Sequence, residues 1–372
     1  MAITEVRSRR VTAALHTPFV TALRRTTTMT TLVVTVADDA GHVGYGEAPQ
    51  VWQVTGASVA GSQSCVDEVL APLLRGRDPD ELLGLCRAVR GAVAGNEAAK
   101  AAVDVALHDL AAQRLGVPLA RLLGGSGAAR RVPTDVTLSA GTPAELAEAA
   151  AARVADGYDV LKIKVGTDAA GDLARVRAAR EAAGPAAALR LDANQGWTPR
   201  EAVGVIRAIE DAGLDVELVE QPVARADLDG LAWVTDRVST PILADEAVWS
   251  PRDLVEVIRR RAADLVNIKL AKCGGLGPAR TMLALAEEYG LGTVVGSMME
   301  GPIGVGAAAS LVAAAGTTAT SDLDAAWWLA EPLVKAGPGY AGPAVVLPDA
   351  PGLGIAGLMP CANESDVPPS WE

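Results

Sequence analysis

The sequence predicts an α/β barrel of about eight parallel strands, preceded by an α+β domain. Three observations carry this. From Pro133 onward, short apolar runs alternate with Ala-rich amphipathic segments, the pattern of repeated βα units. Polar residues able to do chemistry stand at the ends of these runs, spaced by roughly 24–28 residues, about one strand, one helix and two loops each. The length of 372 residues exceeds one minimal core and suits a barrel plus an accessory unit.

Residues 1–125 read as antiparallel strands followed by helices. Strand patterns cover 3–14 and 30–37, with a polar stretch between them that ends in Thr21-Ala22-Leu23-Arg24-Arg25. Asp38-Asp39-Ala40-Gly41 is a hairpin turn into His42–Glu47. Helical periodicity follows over 58–74, 79–90 and 95–115. Residues 126–325 hold the barrel, with strand candidates Val132–Leu138, Val160–Val165, Ala188–Leu191, Val216–Val219, Pro241–Ala244, Leu265–Leu270, Gly292–Val295 and Thr317–Ser321. The uncharged stretch Gly301–Ser321 is interrupted by Pro302 and fits a buried helix with its loops, not a membrane span. Residues 326–372 are rich in Pro and Gly and no longer repeat.

Composition excludes several classes. Half the residues are hydrophobic and 21% charged, the balance of a soluble globular protein. A net charge of −12 repels nucleic acid and anionic membrane. The four cysteines, 65, 86, 273 and 361, form no CxxC pair, so free thiols in a reducing cytoplasm are expected rather than zinc or disulfides. The N-terminus lacks an apolar signal region.

In a parallel barrel, chemistry sits at the C-terminal strand ends. There the sequence delivers Lys162-Ile163-Lys164, Asp192-Ala193-Asn194, Glu220-Gln221-Pro222, Asp245-Glu246, Asn267-Ile268-Lys269 and Asp322-Leu323-Asp324. One such carboxylate alone reads best as a helix cap. Asp192, Glu220 and Asp245, on three consecutive strands, would repel one another without a cation, and an all-oxygen set suits Mg²⁺. Lysine is rare here, at 100, 162, 164, 269, 272 and 335. Arg cannot give up its proton, whereas Lys can, so strand-end lysines are candidate bases. Lys162 and Lys164 share one strand face, about 6.6 Å apart. Their repulsion, about 2.5 kcal/mol at an effective dielectric near 20, is expected to lower the pKa of Lys164. Lys164 and Lys269, on opposite sides of the mouth, can flank a ligand and handle its α-proton from either face. Lys100, Lys272 and Lys335 read as surface lysines, and His108 as a structural residue of an apolar helix.

KxK, DxN, ExP, DE and a later Lys, in this order and over nearly the whole chain, resemble the muconate-lactonizing subgroup of the enolase superfamily. The resemblance implies a modified TIM barrel, (β/α)7β, an N-terminal α+β capping domain, and a C-terminal segment returning to that cap. It implies Asp192, Glu220 and Asp245 as Mg²⁺ ligands, Lys164 and Lys269 as the acid/base pair, and Lys162 as a contact to the substrate carboxylate. Asn194, Glu246 and Glu300 would support the site, with Ser297 and Met298 lining it. Gly301 follows Glu300 where Ser is commoner in the family. Within the subgroup, Asp322 and Asp324 resemble the DxD that dipeptide epimerases set against the substrate's free ammonium. Thr21–Arg24 is similar to the cap loop of L-Ala-D/L-Glu epimerases, where Arg24 would meet a substrate carboxylate. Trp52 is a candidate pocket wall.

The function expected is therefore a Mg²⁺-dependent 1,1-proton transfer at the α-carbon of the C-terminal residue of a dipeptide. The partner is a small molecule, and the family suggests a homo-oligomer. Cycloisomerases and o-succinylbenzoate synthases are the alternative, but their substrates lack the ammonium that would give Asp322 and Asp324 a purpose. A Schiff-base aldolase would need no metal. A non-catalytic barrel would have no use for this set of ionisable residues.

Overall fold

The computed structural model describes residues 1–127 and 129–360, so Cys361 and the end of the 326–372 segment lie outside the described residues. The chain opens with β1 (Ile3–Val20) and β2 (Arg25–Asp38), one long antiparallel hairpin paired from Ile3–Asp38 to Val20–Arg25 with an irregularity between Ala14 and Phe19. The polar stretch expected to be a loop is thus the far end of a hairpin, turned by Thr21–Arg24, where the Thr21 N–H donates to the Arg24 carbonyl at 2.9 Å. The β-branched run Thr26-Thr27-Thr28 accounts for the extension, since threonine favours pleated backbone.

The third strand, β3 (Val43–Pro49), pairs with β2. The 58–74 helix forms as α1 (Val59–Ser64), a π-helical turn (Cys65–Leu70) and α2 (Ala71–Leu74). Pro72 cannot donate to the preceding turn, which explains the slip in register. Then come α3 (Leu82–Ala92) and α4 (Glu97–Arg114). The Ala-rich α4 is almost wholly buried and lies directly on β3. A Cβ at Gly46 would overlap the Ala102 carbonyl of α4, and one at Gly44 the Ala106 carbonyl. Gly46→Ala should therefore destabilise the protein by about 3 kcal/mol, the upper range for overpacking, read as a lower thermal midpoint with no loss of the Lys or carboxylate residues.

After α5 (Leu119–Leu122), the expected first barrel strand divides in two. β4 (Arg131–Pro133) leaves the barrel, and β5 (Val136–Leu138) begins it. Pro133 cannot donate a ladder bond, so the run breaks there. Five units follow: α6 (Pro143–Ala155) and β6 (Val160–Lys164), α7 (Ala169–Ala183) and β7 (Ala188–Asp192), α8 (Pro199–Asp211) and β8 (Val216–Glu220), α9 (Leu228–Thr235) and β9 (Ile242–Ala244), and α10 (Pro251–Arg260) and β10 (Leu265–Lys269). The one-turn α11 (Leu270–Cys273), α12 (Leu276–Glu288), β11 (Gly292–Gly296) and α13 (Pro302–Ala315) complete the barrel. Thr-Pro-x-Glu starts α6 and α8 through capping boxes at Thr142/Glu145 and Thr198/Glu201.

The seven strands run in chain order from β5 to β11, all parallel. The expected eighth strand is reduced to single parallel bridges, Ser321 to Thr134 and Asp322 to Gly296. These close the ring. Inside it, below the site, Arg190 donates to Glu217 (2.7 Å), Asp135 (3.1 Å) and the Thr320 carbonyl (2.6 Å).

The remaining strands are short: β12 (Val334–Lys335), β13 (Gly339–Tyr340), β14 (Ala344–Val346) and β15 (Gly357–Leu358), with β14 joining β4 and β12 joining β15. The segment touches the N-terminal domain in two places. The Ala330 N–H donates to the Ala14 carbonyl at 2.9 Å. Buried Asp109 of α4 accepts from Leu353 N–H at 2.6 Å and Tyr45 N–H at 2.8 Å. One strut runs straight from cap to barrel. Glu47 of β3, fully buried, accepts from the N–H groups of Gly301 (2.6 Å) and Gly304 (3.0 Å) and so caps α13, whose own N-terminal residue offers no side chain. A Cβ at Gly301 would press on Leu333 and Glu47, which explains Gly where the resemblance led one to expect Ser.

Candidate active site

Strand register sets the functional groups at one level. Lys164 pairs with Asp192, and Asp192 with Glu220. Across the ring Lys269 pairs with Gly296, which bridges to Asp322. Asp245 follows the end of β9 by one residue. All of these side chains are buried. Lys162, Lys164, Lys269, Asp245, Asp322, Asp324, Asn194, Glu246, Ser297, Met298 and Arg24 line one cavity of about 60 Å³. Ligand pockets usually measure roughly 300–1,000 Å³, so the cavity as it stands is smaller than a dipeptide needs.

The charges are tightly interlocked. Lys164 Nζ donates to Asp192 Oδ2 at 2.5 Å, Lys162 Nζ to Asp322 Oδ2 at 2.5 Å and Glu220 Oε2 at 3.4 Å, and Lys269 Nζ to Asp245 Oδ2 at 2.8 Å. Lys164 Nζ also lies 5.9 Å from the Phe19 ring centroid. Burial disfavours the charge of Lys162, but Asp322 and Glu220 hold its pKa well above the usual lysine value. The expected picture of two bare lysines repelling each other is therefore corrected: each has its own carboxylate. Lys269 is likewise raised, against burial, by Asp245, Glu220 and Asp322. Burial works upward on Asp245, and Lys269 and Lys272 overcome it to leave Asp245 strongly acidic. Burial and the Asp192 charge push Glu220 up to about 7.

The donor set fits a hard divalent cation. Glu220 sits between its partners: Lys162 Nζ lies 3.4 Å from Glu220 and 4.0 Å from Asp192, and Lys269 Nζ lies 4.0 Å from Glu220 and 2.8 Å from Asp245. Point charges thus already bridge the three carboxylates pairwise, each carboxylate being turned to a lysine. Around them, Asn194 Oδ1, Asn267 Oδ1 and Glu246 Oε2 are buried with no hydrogen-bond partner. Orphaned oxygens at this density are unusual and suit a hydrated cation. By contrast, Cys86, Asp104 and His108 have donor atoms within 4.8 Å of one another, yet His108 Nδ1 donates to the Asp104 carbonyl at 2.8 Å and Asp104 Oδ1 accepts from Leu276 N–H at 2.7 Å. That trio is a hydrogen-bonded cluster, in keeping with the structural reading of His108.

The supporting residues are placed as follows. Asn194 donates to Asp192 Oδ2 and Glu246 Oε1, both at 3.3 Å. Burial and the charges of Asp245 and Asp192 push Glu246 up to about 8. Ser297 donates from its hydroxyl to the Asp322 carbonyl at 3.2 Å. Glu300 accepts from Met298 N–H at 3.0 Å, and burial and Glu47 raise it to about 8 while Lys269 pulls the other way. Asp322 and Asp324 are not strand neighbours as expected, because the strand ends at Asp322 and Asp324 opens a 3₁₀ turn over Ala325–Trp328. Asp324 Oδ2 accepts from Thr137 N–H (2.7 Å) and Trp328 Nε1 (3.1 Å). Both carboxylates still face the cavity. Trp52 is 46% exposed and is no wall; Val51, Val54, Phe19 and Trp328 are. Arg24 is half-buried and its pKa is lowered by burial to about 10; no side chain pairs with it among the described residues.

Four residues escaped the sequence reading. Asn267 donates to Glu220 Oε1 at 2.8 Å; standing two before Lys269 on one strand, it shares the inward face, and that signal was available. Gln221 accepts from the N–H groups of Asp245 (2.9 Å) and Ala247 (3.1 Å) in a left-handed backbone position with φ 36°, which nothing local in the sequence announces. Lys100 and Lys272, expected at the surface, are buried, Lys100 against Glu97 at 3.1 Å.

The mandelate racemase / muconate lactonizing enzyme N-terminal domain family matches residues 3–124, and the enolase C-terminal domain-like family matches residues 145–357. The chain is 43% identical over 367 residues to the L-Ala-D/L-Glu epimerase of Bacillus subtilis (strain 168), covering 98% of this chain and 100% of that protein. A substrate-liganded complex of L-Ala-D/L-Glu epimerase from Bacillus subtilis superposes with a TM-score of 0.94 at 43% identity, over 96% of this chain and 100% of that one. The dipeptide epimerase of Enterococcus faecalis V583, complexed with Mg and L-Leu-L-Tyr, superposes with a TM-score of 0.91 at 39% identity, over 95% and 99% of the two chains. Barrel, cap and strand-end residues agree with this likeness: the chain belongs to the enolase superfamily, in its mandelate racemase / muconate lactonizing enzyme branch.

Proposed function

We propose that this chain is a Mg²⁺-dependent dipeptide epimerase whose preferred substrates carry an acidic C-terminal residue. The observation that carries the reading is the meeting, in one cavity, of lysines from opposite sides of the ring with the Asp322/Asp324 pair and the unpaired Arg24. Lys164 and Lys269 are the acid/base pair: one, as the amine, removes the α-proton from its own face, and the other, as the ammonium, delivers a proton to the opposite face; the roles exchange in the reverse direction. Asp322 and Asp324 hold the free ammonium, and Lys162 steadies the reacting carboxylate. Ser297 and Met298 line the pocket. Asp192, Glu220 and Asp245 would hold magnesium, which would supply the positive charge that lysine ammoniums supply to these carboxylates here. Asn194, Glu246 and Glu300 hold the ligands and Lys269 in place. Residues 1–125, 126–325 and 326–372 serve as cap, catalytic barrel and returning segment.

Substrate choice rests on Arg24. An unpaired guanidinium half-removed from water calls for an anion, and a charged hydrogen bond of this kind is worth about 1.5–3 kcal/mol. Arg24→Met should lower kcat/KM for L-Ala-L-Glu by about 10–100-fold while leaving L-Ala-L-Leu nearly unchanged. The test is a panel of L,L-dipeptides with Mg²⁺ in D₂O, followed by mass spectrometry. Equal losses on both substrates would remove the acidic preference; no α-exchange on any dipeptide would remove the reading.

A further inference from the structure

Lys272 is 1% exposed. It stands on α11, the single turn that follows β10, and the turn folds its side chain back beneath the ends of β9 and β10. Its ammonium donates to the Asp245 carbonyl, to Asp245 Oδ1, and to the Asn267 carbonyl at 3.0 Å. An ammonium has three protons, so none remains for a substrate. Lys272 is also absent from the residues that line the active-site cavity.

Its geometry complements that of Lys269. Lys269 holds Oδ2 of Asp245 and Lys272 holds Oδ1, so the carboxylate is fixed at both oxygens, with its own backbone carbonyl tied to the same ammonium. The turn is itself anchored. Gly274 and Gly275 follow with φ of 89° and 117°, a path closed to other residues. A Cβ on Gly275 would run into Asp104 of α4, whose Oδ1 accepts from Leu276 N–H at 2.7 Å. A buried helix of the cap therefore fixes the turn that carries Lys272.

We propose that Lys272 is a positioning residue that presents the Asp245 carboxylate to the divalent cation from behind. The inference rests on the reading of Asp245 as a metal ligand. Two effects oppose each other. A cation beside a ligand repels the metal, so deleting Lys272 would tighten binding if charge alone mattered. Deleting it also releases a buried carboxylate from its fixed orientation and takes an ammonium donor away from the Asp245 and Asn267 carbonyls, although the Asp245 carbonyl keeps the Val248 N–H at 3.1 Å. Losing such an outer partner of a metal ligand typically weakens metal affinity by about 10–100-fold, and we infer that orientation wins.

The test is calorimetric titration of Mg²⁺ into wild type, Lys272→Met and Lys272→Gln, with near-ultraviolet circular dichroism as the check on folding. Lys272→Met should bind Mg²⁺ about 10–100-fold more weakly, and Lys272→Gln, which keeps a donor, should fall between. The lost turnover should be partly regained at high Mg²⁺, a response that a merely structural role would not give. Affinity within twofold of wild type, or tighter, overturns the proposal. So does failure of both variants to fold, which would assign Lys272 to the scaffold. Wild type that binds no Mg²⁺ overturns the metal-site reading itself, an outcome distinct from equal binding by all three proteins.

Discussion

Lys164→Ala and Lys269→Ala should each suppress interconversion of L,L- and L,D-dipeptides, with kcat for epimerisation falling by about 10²–10⁴-fold, the range for loss of a positioned acid or base. They should not abolish all chemistry. In Lys269→Ala, Lys164 still faces the α-carbon. It removes the proton of whichever epimer presents it, exchanges it with D₂O, and returns deuterium to the same face. That variant washes deuterium into one epimer without inverting it. Lys164→Ala should do the same for the other epimer, and the two specificities should be complementary. The geometry behind this is the register row that puts Lys164 beside Asp192 and Lys269 across the ring beside Gly296. Proton NMR of each epimer in D₂O decides it. Both variants exchanging the same epimer, or either still epimerising at the wild-type rate, would dismiss the two-base assignment.

The second large effect concerns the metal. Removing Mg²⁺ with EDTA should lower kcat/KM by at least about 10³-fold, and Mg²⁺ should restore it. Glu220→Gln should separate metal binding from folding. Burial and Asp192 push Glu220 up to about 7, so its ionised form sits uncomfortably in the metal-free protein. The neutral isostere keeps an acceptor for Asn267, which donates to Oε1 at 2.8 Å. The metal-free thermal midpoint should therefore change little, while the rise in midpoint on adding Mg²⁺ and the activity should both disappear. A variant that still gains stability from Mg²⁺ would take Glu220 out of the ligand set.

Much of the site was readable because strands impose it. Residues two apart on a strand share one face and chemistry gathers at the C-terminal strand ends, so Lys162, Lys164, Asp192, Glu220 and Lys269 could be picked out from spacing. What failed depended on contacts distant in sequence. Lys272 lies in a helical turn, and nothing in the letters around it says that the turn folds back under Asp245. Trp52 was a candidate wall from its place after Gly46-Glu47-Ala48-Pro49, whereas Val51 and Val54 are the residues of that loop that line the cavity. The eighth strand was expected over Thr317–Ser321, but pairing there is reduced to single bridges at Ser321 and Asp322.

The contact from Glu47 to Gly301 and Gly304 bears on how such proteins can be cut and recombined. A truncated barrel lacking the first strands would expose the amides at the start of a helix of fourteen residues, together with a cleft shaped for a foreign carboxylate. Such a fragment should aggregate instead of folding autonomously. Grafting a donor cap onto this scaffold should succeed only if the graft brings an acid at position 47 and a glycine remains at 301. Swapping specificity modules between relatives is thus constrained by one hydrogen-bonded joint between cap and barrel.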